Sequence, residues 1–268
     1  MNFFYSLKNK TLPLLSILLL FAAMSACTKE NNGIQPDVPA MTTMVMEFDD
    51  SITGGKTASS TKGNHNAAAL QIGVWNVILT LNLAIPVSAF SAITNESPNF
   101  VEGTWMWDKD FNVGLIGHNA RLEGTVVGQN VQWEMYISKD NAYSDFLWFT
   151  GTSAIGNQSG QWLLNTSPNN STPLLQIDWE VNNAGTTQIS YTNIIPGHKD
   201  NGGFIEYGIT ENNAAYDAFY TIYHTDDNFQ VDIEWNRNTK EGRIRNANFF
   251  SDDSWYCWSS SFQNVDCE

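Results

Sequence analysis

The hydrophobic pattern divides the chain into four stretches of different character. From Leu12 to Met24 the side chains are almost all apolar; Lys8 and Lys10 precede this run, and no acidic residue occurs before Glu30. The run has the length of an export-signal core and falls short of the roughly 20 residues that cross a bilayer as a helix. From Thr28 to about Asn66 aliphatic residues thin out, and stretches such as Thr53-Gly54-Gly55-Lys56-Thr57-Ala58-Ser59-Ser60 predict a flexible tether. Within it, Met44-Val45-Met46-Glu47-Phe48 has the composition of one added strand.

Between Ala67 and Ile93 the period changes. Leu70, Val74, Val77, Leu81 and Ile85 recur at steps of three or four, opposite a more polar line of Asn76, Thr80 and Ser88. That spacing predicts a helix, bent or stopped near Pro86. The segment is long enough to reach across a bilayer, but Gln71, Asn76, Asn82, Gly73 and Pro86 disfavour a lone lipid-facing span. A helix packed on the domain that follows is expected, with a membrane-inserted segment or buried strands as the alternatives.

After Asn99 short alternating runs take over. Val131, Trp133, Met135 and Ile137 alternate with Gln132, Glu134, Tyr136 and Ser138, and Phe229, Val231, Ile233 and Trp235 alternate with Gln230, Asp232, Glu234 and Asn236. Turn residues such as Gly128-Gln129-Asn130, Ser167-Pro168-Asn169-Asn170 and Asp226-Asp227-Asn228 separate the runs. About ten to twelve strands fit, joined mostly by hairpins. Short connections leave no room for crossover helices, so the class is mostly β, an antiparallel up-and-down meander or barrel with one N-terminal apolar helix packed on or in it. A weak repeat, Gln176-Ile177-Asp178-Trp179-Glu180 and Gln230-Val231-Asp232-Ile233-Glu234, suggests one hairpin unit used twice.

The small residues Ser25 and Ala26 lead from the apolar run into Cys27. Met24-Ser25-Ala26-Cys27 thus resembles the lipobox of bacterial lipoproteins, with Met24 where Leu is usual. The resemblance implies cleavage before Cys27, acylation of its thiol and attachment to a membrane. Thr28-Lys29-Glu30 lacks the Asp that retains some lipoproteins at the inner membrane, so an outer-membrane location, facing the periplasm or the surface, is favoured. Cys257 and Cys267 would then remain in an oxidising compartment, where a disulfide closing a short loop is expected. The expected organisation is a signal peptide over 1–26, lipidated Cys27 and a tether over 27–66, an apolar helix over 67–98 and a β domain over 99–268.

Removal of residues 1–26 leaves 11 basic against 28 acidic side chains, a formal charge of −17. Nucleic acid and anionic surfaces, which reward clustered Lys and Arg, are therefore poor partners. Catalytic signals are sparse. Asp178 with Glu180, and Asp232 with Glu234, share strand faces, since side chains two apart point the same way. Gln176 to Glu180 looks like the Glu-x-Asp-x-Glu strand of laminarinase-type β-glucanases, except that Gln176 stands where that family has its nucleophilic Glu, as does Gln230 in the second copy. Asp108, Asp110 and Asn112 have the spacing of calcium-loop ligands, with Gly114 displaced from the EF-hand position. His65, His118, His198 and His224 are scattered, and no motif for a metal or cofactor occurs.

The chain has ten tryptophans. Trp105, Trp107, Trp148 and Trp179 are the candidates for binding a glycan or apolar ligand, the alternative being that tryptophans fill the β core. The layout resembles lipocalin-like envelope proteins in general terms. A noncatalytic binding module for an apolar or glycan ligand is the first expectation, a structural or adhesion protein the second, and a glycoside hydrolase using the strand carboxylates the third.

Overall fold

The computed structural model describes residues 33–46, 48, 60–181, 187–210 and 214–267. The expected signal peptide, Cys27 and tether residues 28–32, 47 and 49–59 lie outside the described residues. The described chain forms one antiparallel sheet and a long helix, α1 (Gly63–Ile93). The strands are β1 (Asn99–Val101), β2 (Thr104–Val113), β3 (Ile116–Val127), β4 (Asn130–Lys139), β5 (Tyr143–Ala154), β6 (Ser159–Ser167) and β7 (Asn170–Val181). They continue as β8 (Thr187–Asn193), β9 (Phe204–Ile209), β10 (Ala218–His224), β11 (Phe229–Trp235), β12 (Gly242–Arg245), β13 (Tyr256–Trp258) and β14 (Asn264–Val265). A single helical turn, α2 (Ala247–Phe250), lies between β12 and β13.

Each strand pairs only with its neighbours in sequence, so the sheet is a pure meander of 14 strands among the described residues. β1 and β14 stand at opposite edges, and the sheet is not closed into a barrel. The excess over ten to twelve strands comes from β1, β13 and β14, whose three, three and two residues are too short to alternate visibly. α1 touches strands near both edges, β2, β3 and β12 to β14, while its Phe90 meets Phe149 and Trp162 in the middle. The sheet therefore curls around the helix.

One row of the inner face explains the tryptophan content. Trp105, Gly124, Trp133, Gly151 and Trp162 are successive cross-strand partners from β2 to β6, so large and smallest side chains alternate across five strands. Trp133 lies over Gly124 and Trp162 over Gly151. A Cβ on Gly124 would meet Trp133 Cζ3 at 2.6 Å, and one on Gly160 would meet Trp179 Cζ2 at 2.5 Å. The same device recurs in the row Ala218, Trp235, Gly242, Trp258. A glycine weakens a strand by leaving apolar backbone surface open, and an aromatic ring laid across it restores the burial.

The stripe that marks α1 in the sequence is not the one that packs. Leu70, Val74, Val77 and Leu81 are 62 %, 54 %, 59 % and 75 % exposed, whereas Ile72, Trp75, Leu79, Leu83, Pro86, Ala89, Phe90 and Ile93 are buried. The helix runs through Pro86 without stopping there, held beyond it by the buried Ala89, Phe90 and Ile93. It also begins four residues before Ala67. Asn64 sets that start by tertiary contacts: its N–H donates to Asn264 Oδ1 (3.0 Å) and its Nδ2 to the Cys257 carbonyl (2.8 Å). Cys257 and Cys267 are disulfide-bonded, with Cα atoms 5.3 Å apart. A loop of that size contributes about 2–3 kcal/mol through the unfolded chain.

The described part of the expected tether belongs to the core. Pro36, Pro39, Thr43, Met44 and Met46 are buried, and Met41–Thr43 forms a 3₁₀ turn. Met44 to Met46 does not form the expected strand. Its backbone groups find a side chain instead: the Met46 N–H donates to Tyr191 Oη (2.6 Å), and the Tyr191 hydroxyl donates to the Met44 carbonyl (3.0 Å). A buried backbone needs such partners, and here one phenol supplies both.

Candidate functional site

Of the four tryptophans expected to bind ligand, three are buried. Trp107, Trp148 and Trp179 are 2 %, 7 % and 3 % exposed, packed respectively on Trp133, on Tyr143 and Phe146, and over Gly160. Trp105 is half-buried, with its ring 4.8 Å from that of Phe100. None of the four presents a free ring face to a cavity described here. Glycines account for two of these placements, Trp179 over Gly160 and Trp107 beside Gly124, and neighbouring aromatic rings for Trp148 and Trp105.

The strand carboxylates occupy the outer, wet face, where Glu180 is exposed and the other three are engaged. Asp178 accepts from Gln161 Nε2 and Gln176 Nε2, both at 2.7 Å. Asp232 accepts from Gln230 Nε2 (2.6 Å) and from Arg245 through Nε (3.1 Å) and Nη2 (2.6 Å). Glu234 is held by Arg243 Nε at 2.8 Å. In both copies of the repeat the glutamine that stands in the nucleophile's place is thus a donor to the aspartate two residues on. A shallow polar recess of about 340 Å³ lies on this face over β3 to β6, lined by Glu123, Gln132, Glu134, Thr150, Thr152 and Gln161.

Asp108, Asp110 and Asn112 fall within β2 and not in a loop. Asp108 and Asp110 both accept from Asn119 Nδ2 at 3.0 Å across the hairpin, as expected of a strand face. No group of three or more metal-ligating side chains gathers among the described residues.

The apolar opening lies elsewhere, on the flank of α1. A groove of about 310 Å³ runs between the helix and the 45–48 segment, lined by Val45, Met46, Phe48, Leu79, Leu83, Ala84 and Val87, with Asn76, Thr80 and Tyr191 as its polar members. Thr80 Oγ1 donates to Asn76 Oδ1 (3.1 Å), so these two satisfy one another. Tyr191 is fully buried, and both its hydrogen bonds go to the segment's backbone. Burial pushes its phenol far above the ordinary tyrosine range, only partly opposed by the Met46 N–H. The hydroxyl stays neutral and acts as the bracket that fixes one wall. Sequence reasoning missed this wall, because Tyr191 and Met46 are 145 residues apart and nothing in the intervening pattern links them.

A raised tyrosine pKa means that the unfolded chain ionises first. Tyr191 therefore contributes stability fully below about pH 10, and that contribution declines as pH rises past it. Urea unfolding between pH 9 and 11 is expected to show a steeper alkaline fall for the parent than for Tyr191→Phe, by up to about 1.4 kcal/mol per pH unit. Parallel pH profiles would remove the bracket role.

The fold and groove define a class by architecture: an open antiparallel meander curled around one apolar helix, with a recess where the helix meets an N-terminal strap, the described residues 33–46 and 48. No family model, no curated protein and no solved structure matches the chain.

Proposed function

We propose that this chain is a noncatalytic binding module, held at a bacterial cell envelope by lipid on Cys27, that receives an apolar ligand in the groove beside α1. The observation that carries the reading is the lining of that groove: seven apolar side chains against three polar ones, two of which bond each other while the third is spent on backbone. Small-molecule sites have this makeup, mostly apolar walls with a few placed polar groups. A glycan fits less well, since three of the four candidate indoles that would stack on sugars are buried. A structural or adhesion role is the second reading, favoured by a sheet interior filled with side chains.

The two separate on a titration with 1-N-phenylnaphthylamine, a neutral probe that fluoresces in apolar surroundings. The binding reading expects saturable enhancement at one site per chain, lost at least tenfold in Ala84→Trp, where the exposed Ala84 gives way to a ring that fills the groove. Enhancement that does not saturate, or that Ala84→Trp leaves unchanged, would favour the structural reading.

A further inference from the structure

A helix that is apolar all round is ordinarily buried all round, in a protein core or in lipid. No charged residue occurs between Lys62 and Glu96, yet α1 buries only one side. Leu70, Val74, Val77, Ile78 and Leu81 form a continuous exposed face at steps of three, four and one residues. Polar side chains on this exposed side turn back onto the helix. Asn82 Nδ2 donates to the Ile78 carbonyl (2.7 Å) and Ser88 Oγ to the Ala84 carbonyl (2.8 Å), in addition to the Thr80–Asn76 bond. Side chains facing water have no need of such bonds, whereas those facing lipid do.

We infer that this face of α1 rests in the interfacial layer of the bilayer, so that the domain lies on the membrane as well as being tethered to it. The inference rests on the lipid-anchor reading in one respect, the length of chain available. Pro36 is the first buried residue among those described, nine positions after Cys27, and a stretch of that length spans at most about 30 Å when fully extended. A domain on so short a leash stays at the bilayer surface, and the uncharged face is the one that enters the headgroup boundary without desolvating an ion. The opposite side of α1 is locked into the sheet, so the helix lies on the membrane and does not span it. The net charge of −17 selects zwitterionic over anionic lipid.

The test uses the chain exported behind an ordinary cleavable signal and carrying Cys27→Ser, floated with phosphatidylcholine vesicles. Weak, reversible co-flotation is expected. It should fall at least tenfold in Val77→Glu/Leu81→Lys, a pair placed four apart in the helix-favouring order, with circular dichroism and thermal midpoint unchanged. Equal flotation of parent and double variant, or none for either, would overturn the inference. So would a dimer in sedimentation velocity that the double variant abolishes while neither protein floats, because the face would then be an interface between two copies. Failure of the anchor reading is read separately, as an intact mass of the wild-type protein without acyl chains.

Discussion

Replacing Trp162 with alanine is expected to cost about 3–5 kcal/mol, a large share of the roughly 5–15 kcal/mol by which a domain is ordinarily stable. Trp162 is fully buried and joins three parts of the fold. Its ring is 5.5 Å from those of Phe90 on α1 and Phe149 on β5, and its Nε1 donates to Thr43 Oγ1 (3.2 Å) in the strap. It also covers Gly151, its cross-strand partner. Truncation opens a cavity, bares the Gly151 backbone and leaves Thr43 without this donor. Gly151→Val is expected to be comparably damaging from the opposite side, since any Cβ there collides with the indole. Leu163→Ala, next in sequence but 37 % exposed on the outer face, is the control and should stay within about 0.5 kcal/mol of the parent. The measurement is urea unfolding followed by tryptophan fluorescence and far-ultraviolet dichroism. A Trp162→Ala loss below about 1 kcal/mol would show that the Trp–Gly row is not what joins sheet, helix and strap.

The second large effect concerns location. With Cys27→Ser behind a conventional cleavable export signal, most of the protein is expected to move from the membrane to the soluble fraction. The lipobox-like segment before Cys27 motivates this: a lipoprotein carries more than one acyl chain, and at about 0.8 kcal/mol per buried CH₂ two or more chains hold a protein where a surface helix alone binds reversibly. Adding Val77→Glu/Leu81→Lys should clear the residual membrane-bound protein. Membrane association undiminished by Cys27→Ser would defeat the anchor.

The β class, the antiparallel meander, the disulfide and the existence of the helix were legible in the sequence because each leaves a local signal: period-two alternation, turn residues, cysteine spacing, a long uncharged run. The packing face of α1 was not. Its apolar residues lie on both sides, so Leu70, Val74, Val77 and Leu81 satisfy helical spacing as well as Ile72, Trp75, Leu79 and Leu83 do, and only the sheet decides between them. The role of the tryptophans was hidden for a related reason. Gly124 and Gly151 look like weak points in their strands until register sets Trp133 and Trp162 across them. The strap was read as tether because its apolar residues, Pro36, Pro39, Met44 and Met46, have no regular period; the partners that order it, Trp162 and Tyr191, are more than 100 residues away.

The claim that an apolar ligand enters beside α1 is tested most directly by the methionine methyl groups, five of which, Met41, Met44, Met46, Met106 and Met135, lie among the described residues. Met46 lines the groove, Met106 is paired with Glu123 beside the polar outer recess, and Met135 is fully buried in β4. In methyl-labelled protein titrated with 1-N-phenylnaphthylamine, the Met46 resonance is expected to shift saturably, with the midpoint of the fluorescence titration, while Met106 and Met135 hold their positions. A saturable shift at Met106 with Met46 unmoved would put the ligand on the outer face of the sheet and contradict the account.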